Sequence, residues 1–78
     1  MDTARLVRMA NDIAQFFASE SAPADAAQQV AAHLTKFWDP RMRREIIQHL
    51  RGGGAGLSAL ARDAVGLLVM PAADKATP

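Results

Sequence analysis

Asp39-Pro40 lies at the middle of the chain and does most to limit what the chain can fold into. Proline lacks an amide proton and clashes with the preceding turn, so it breaks a helix when internal but fits the first helical position. Asp39 before it can accept from the free N–H groups of the helix that follows. Phe37 and Trp38 come immediately before and end an apolar stripe. The stretch from Leu34 to Arg43 is therefore a short, stiff joint between two helices. It holds the single tryptophan, beside three of the seven arginines, at 41, 43 and 44. An indole there can supply a large share of core or interface area.

The helices on either side follow from apolar spacing. Leu6, Met9, Ile13, Phe16 and Phe17 recur at threes and fours, which places them along one side of a first helix capped by Asp2 or Thr3. Phe16 and Phe17 are expected in the core, and Arg8, Asn11, Asp12 and Gln15 outside it. Ser21 to Asp25 reads as a connection and a helix start, with Pro23 in the first turn and Asp25 favoured by the helix dipole. The second helix carries Ala27, Val30, Ala31, Leu34, Phe37 and Trp38 on its stripe, with His33 at the border. The ordinary role of a border histidine is half-buried packing, and ligand or proton-transfer duty is the rarer alternative.

In the third helix the apolar positions are Met42, Ile46, Ile47 and Leu50, and one residue breaks the pattern. At 100° per residue, Arg43 falls between Ile47 and Leu50, while Arg41, Arg44, Gln48 and Arg51 lie on the other side. Two readings of Arg43 stay open. Its stem lies along the core edge with the head in water, or its planar fork serves a carboxylate or carbonyl on another chain. His49 borders the same stripe.

Gly52-Gly53-Gly54-Ala55-Gly56 ends this helix. A phosphate-binding loop would need a preceding strand and a Lys-Ser or Lys-Thr pair, where this chain has Leu57-Ser58. Ser58 caps a fourth helix with Leu57, Leu60, Ala61, Ala64, Leu67 and Leu68 on one face and Arg62 and Asp63 opposite. Val65, Val69 and Met70 fall outside that stripe, as fraying residues or a second patch for docking. Pro71 is expected to stop the helix. No segment alternates with a period of two. The expected fold is all-α, a small bundle of about four short helices in one domain over residues 1–70, with a disordered C-terminal tail over 71–78.

Composition removes several classes of function. At 78 residues the chain is one domain at most, near the size where a core supplies only roughly 3–5 kcal/mol. No cysteine is present to form a disulfide or thiolate metal site, and no apolar run approaches the ~20 residues of a membrane span. Asp2 and scattered charges interrupt any signal-peptide core, so a soluble, unexported protein is expected. Net charge is +1, although five basic and two acidic residues between 33 and 51 leave a local surplus of +3. Such a patch is too modest for a general nucleic-acid binder. Catalysis has no visible equipment. Ser19, Ser21 and Ser58 sit at helix ends, the acids are scattered singly, and the two histidines are sixteen positions apart without an HExxH pattern. Binding or assembly remains, with a small helical nucleic-acid-binding or regulatory protein using Lys36, Arg41, Arg44 and Arg51 as the alternative.

The chain resembles the delta subunit family of cytoplasmic NAD-dependent, molybdenum-containing formate dehydrogenases. The residues that carry the likeness are Leu6-Val7-Arg8-Met9-Ala10-Asn11 with Ile13-Ala14 and Phe16-Phe17, then Val30-Ala31 with His33-Leu34, and Phe37-Trp38-Asp39-Pro40-Arg41-Met42. The glycine turn and Gly56-Leu57-Ser58 complete it. The resemblance implies a small accessory subunit with no cofactor of its own. Its partner would be the catalytic alpha subunit, which holds molybdopterin guanine dinucleotide and iron–sulfur clusters. In the complex, which also has beta and gamma subunits, formate is oxidised to carbon dioxide and electrons reach NAD through FMN in the beta subunit. No catalytic, cofactor-binding or metal residue is expected in this chain. The expected partner-binding residues are Trp38, Arg41, Met42 and Arg43, with no membrane contact and a cytoplasmic location.

Overall fold

A computed structural model describes residues 2–71 and contains four helices and no strand among them. These are α1 (Thr3–Glu20), α2 (Pro23–Phe37), α3 (Pro40–Arg51) and α4 (Ala59–Gly66). The expected tail lies outside the described residues except for Pro71.

Local chemistry sets the helix ends. Asp2 caps α1 by accepting from the Ala4 amide at 3.0 Å, and Asp39 caps α3 by accepting from the Met42 amide at 2.9 Å. Ser58 caps α4 through the Ala61 amide at 3.2 Å. α2 starts on Pro23 without a side-chain cap; the Ala22 carbonyl instead receives the Asp25 and Ala26 amides at 2.8 and 3.0 Å. Each cap satisfies an amide that has no partner within its own helix.

α1, α2 and α4 pack against one another, and α3 lies across α1 and α4. The core is formed by Leu6, Val7, Val30, Leu34, Trp38, Ile46, Ile47, Leu57 and Val65, with alanines 10, 14, 31, 61 and 64. Those alanines revise the expected burial. On α1 the buried residues are Leu6, Val7, Ala10 and Ala14, so the inward face is turned toward the small residues. Met9, Ile13 and Phe17 pack at its edge, and Phe16, expected inside, is 57% exposed. Phe37 at the end of α2 is likewise outside, at 65%. Small side chains let helix axes approach closely, and bulky rings are then left at the rim of the seam.

α4 is shorter than its apolar pattern suggests. It ends at Gly66 rather than at Pro71, and the next amides, Leu67 and Leu68, bond to Ala64 and Val65 in a tighter turn. Glycine is a poor helix residue, which favours an end at this point. Burial on α4 also differs from the expected stripe: Val65, expected outside it, is core at 1% exposure, and Leu67, expected inside and now past the helix end, is 53% exposed. Val69 is exposed, while Leu68 and Met70 pack against the core. No described helix is long and apolar enough to cross a membrane.

Candidate partner-binding surface

The central stretch divides into an inward and an outward half. Trp38, at 5% exposure, fills the core. Its amide closes α2 on the Leu34 carbonyl at 2.9 Å, and its own carbonyl accepts from Arg43 Nε at 3.2 Å. That bond accounts for an arginine inside an apolar stripe. The Trp38 carbonyl lies between two helices, and the Arg43 side chain, half-buried, reaches back along the core edge to satisfy it. Arg41 is exposed. Met42 is half-buried and shares a shallow groove of about 300 Å³ with Asp2, Arg5, Leu6 and Met9 of the α1 end. The stretch thus joins Trp38 to Arg43 by a hydrogen bond and Met42 to α1 by packing, and leaves Arg41 apart.

A second polar cluster has no counterpart in the sequence reading. The glycine turn is held from three helices. Asn11 of α1 donates through Nδ2 to the Gly56 carbonyl at 2.9 Å and accepts through Oδ1 from the Ser58 amide at 2.8 Å. His49 Nε2 lies 2.8 Å from the Ala55 carbonyl, a contact that calls for the tautomer with its proton on Nε2. Arg62 of α4 donates from one terminal nitrogen to the carbonyls of Gly53 and Gly54, at 2.9 and 3.0 Å. The main sequence signal for this cluster is Asn11, a residue of low helix propensity in the middle of α1. The segments Leu6–Asn11 and Gly56–Ser58, distant in sequence, are thereby tied together. At the other end of α1, Thr3 donates from Oγ1 to a carboxylate oxygen of Glu45 on α3.

His33 is half-buried, its ring 5.9 Å from that of Phe17 and 4.7 Å from that of Phe37. Phe16 meets Phe17 edge-on at 5.1 Å, and the Lys36 amine stands 5.6 Å from the Phe37 ring centre. These contacts give His33 a packing role. Among the described residues no three His, Asp or Glu side chains gather as metal ligands.

The fold and its polar contacts define a class: a small all-helical domain whose Asn11, His49 and Arg62 close its own turn and whose Arg41 faces outward beside a half-buried Met42. The family model FdsD, described as NADH-dependent formate dehydrogenase delta subunit, matches residues 5–65, and the chain belongs to that family. The match includes the central stretch and the residues that hold the glycine turn. No curated protein and no solved structure matches the chain.

Proposed function

We propose that the chain is a non-catalytic accessory subunit of a cytoplasmic NAD-dependent molybdenum formate dehydrogenase, supporting assembly, stability or cofactor loading of the catalytic alpha subunit. The observation that carries this reading is the family match over residues 5–65. The fate of the polar side chains agrees with it: Asn11, His49, Arg62 and Glu45 are engaged in holding the fold. The chain is assigned no cofactor; the molybdopterin, iron–sulfur and FMN groups belong to the other subunits. In this reading the partner meets the central stretch. Arg41 and Met42 supply outward contacts, and Trp38 with Arg43 forms the base that holds them in place.

The test is to produce the other subunits with and without this chain, quantify molybdenum and iron per complex, and divide formate-dependent NAD reduction by the loaded fraction. Complex yield or cofactor content should fall without the chain, while turnover per loaded site changes less. Trp38→Ala should copy the deletion, because losing a buried indole costs about 3–5 kcal/mol, the whole stability expected of a core this small. Met42→Ala, at a half-buried position, should leave the chain folded and weaken association. Unchanged yield, cofactor content and activity without the chain would sink the proposal.

A further inference from the structure

Helix α3 carries a charge its own chain does not balance. Arg41, Arg43, Arg44 and Arg51 against Glu45 give its twelve residues +3, whereas the whole chain is +1, so the remainder is −2. At 100° per residue, Arg41, Arg44, Gln48 and Arg51 fall within an arc of roughly 80°, with the buried Ile46 on the far side of the helix. That arc has no carboxylate. The acids of the helix and its cap are engaged elsewhere: Asp39 caps the helix, and Glu45 accepts from Thr3. The first turn of α3 contains no acid, although carboxylates are what the positive end of a helix dipole favours. Arg41 and Arg44 stand near that end, three residues apart, where like charges repel.

Arg44 adds an independent sign. It is half-buried, and its Nε is enclosed and meets no acceptor among the described residues. A guanidinium already partly stripped of water gains more from a carboxylate at its outer edge than a fully hydrated one does. A local arrangement that opposes helix stability without compensation among the described residues points to a compensating group beyond them.

We infer that the Arg41–Arg44–Arg51 face of α3 seats an acidic segment of a larger polypeptide of the same complex. The segment presents carboxylates to Arg41 and Arg44 at one end and to Arg51 at the other, about 10 Å further along the helix at 1.5 Å per residue. The planar arginine fork suits a carboxylate bidentately. A protein fits the charge better than a nucleic acid, because the negative remainder of the chain would repel an extended polyanion. This inference rests on the accessory-subunit reading, and its test separates the two.

The purified complex lacking this chain is titrated with the full chain, with the double variant Arg41→Glu/Arg51→Glu, and with the control Arg8→Glu/Lys36→Glu, which makes the same change of charge away from the arc. Helicity and thermal midpoint are measured for each to establish that it folds. At low salt the α3 variant should bind at least tenfold more weakly than the native chain and the control within about threefold, a gap that narrows as salt rises. Arg41→Lys/Arg51→Lys should retain binding and place amines that a carbodiimide couples to acidic residues of the larger subunit. Equal affinity of the α3 variant and the native chain, or the absence of any such coupling while binding persists, overturns the α3 docking face and leaves the accessory role standing. Failure of the native chain itself to bind overturns both. If the α3 variant loses affinity only for duplex DNA and binds the complex normally, the face is a phosphate site and the proposal is wrong.

Discussion

Gly54 holds a left-handed backbone, φ +67°, where the chain turns from α3 toward α4. A Cβ placed on it would lie 2.7 Å from an Arg62 terminal nitrogen and 3.0 Å from Leu50 Cδ1. A side chain there strains the backbone by about 1 kcal/mol and pushes Arg62 off the carbonyls it serves, at roughly another 1 kcal/mol. Gly54→Ala should therefore destabilise the chain by about 2 kcal/mol in urea unfolding. Gly66 gives the opposite case. It is helical, its φ is not positive, and the nearest atom to an added Cβ is Leu50 Cδ2 at 3.9 Å. Gly66→Ala should stabilise by about 0.5–1 kcal/mol through the lower entropy of the unfolded chain and better helix propensity. A stabilising Gly54→Ala, or a destabilising Gly66→Ala, would contradict this account of the turn.

Among the elements, α4 most clearly separates pattern from packing. Its eight residues carry Ala61, Ala64 and Val65 inward, and the residues after Gly66 no longer follow the helical stripe. Val65→Ala should cost about 2 kcal/mol, from two lost methyl groups and the cavity they leave. Leu67→Ala, at an exposed position, should fall within about 0.5 kcal/mol of the native chain. The two midpoints measured side by side check which residue is core; a larger loss at Leu67 would mean that α4 runs on past Gly66. α3 poses a different question, since its helix is fixed by Asp39, Pro40 and Gly52 while four arginines against one glutamate leave it a net charge of +3.

For the whole molecule, a cysteine-free chain of 78 residues whose buried set includes many alanines has little apolar area to bury, and stability near roughly 3–5 kcal/mol follows. Exposed Phe16, Phe37, Leu67 and Val69 add apolar surface that the fold leaves uncovered. Binding a partner raises apparent stability by mass action, so the thermal midpoint of the chain within the complex should exceed that of the chain alone. Calorimetry of both decides this, and a free chain unfolding above about 90 °C would count against dependence on a partner.

The sequence by itself determined where helices start and stop wherever the signal is local. Asp2, Asp39 and Ser58 each cap within three residues of their own position, Pro23 and Pro40 open helices, and the glycines end one. Such contacts depend only on the neighbouring backbone, so the residue type is enough to locate them. The grouping of Trp38, Arg41, Met42 and Arg43 about one cap follows from their places in the sequence, whereas the burial of Trp38 and the Arg43 bond to its carbonyl do not. Tertiary structure decided which of several apolar faces turned inward. α1 offers both an alanine-bearing and a phenylalanine-bearing face, and packing turned Ala10 and Ala14 inward, leaving Phe16 outside, as is Phe37 at the end of α2. It also decided what Asn11, Arg43, His49 and Arg62 do, because the carbonyl each one meets is placed by the folding of another segment or by a turn that the sequence pattern does not specify.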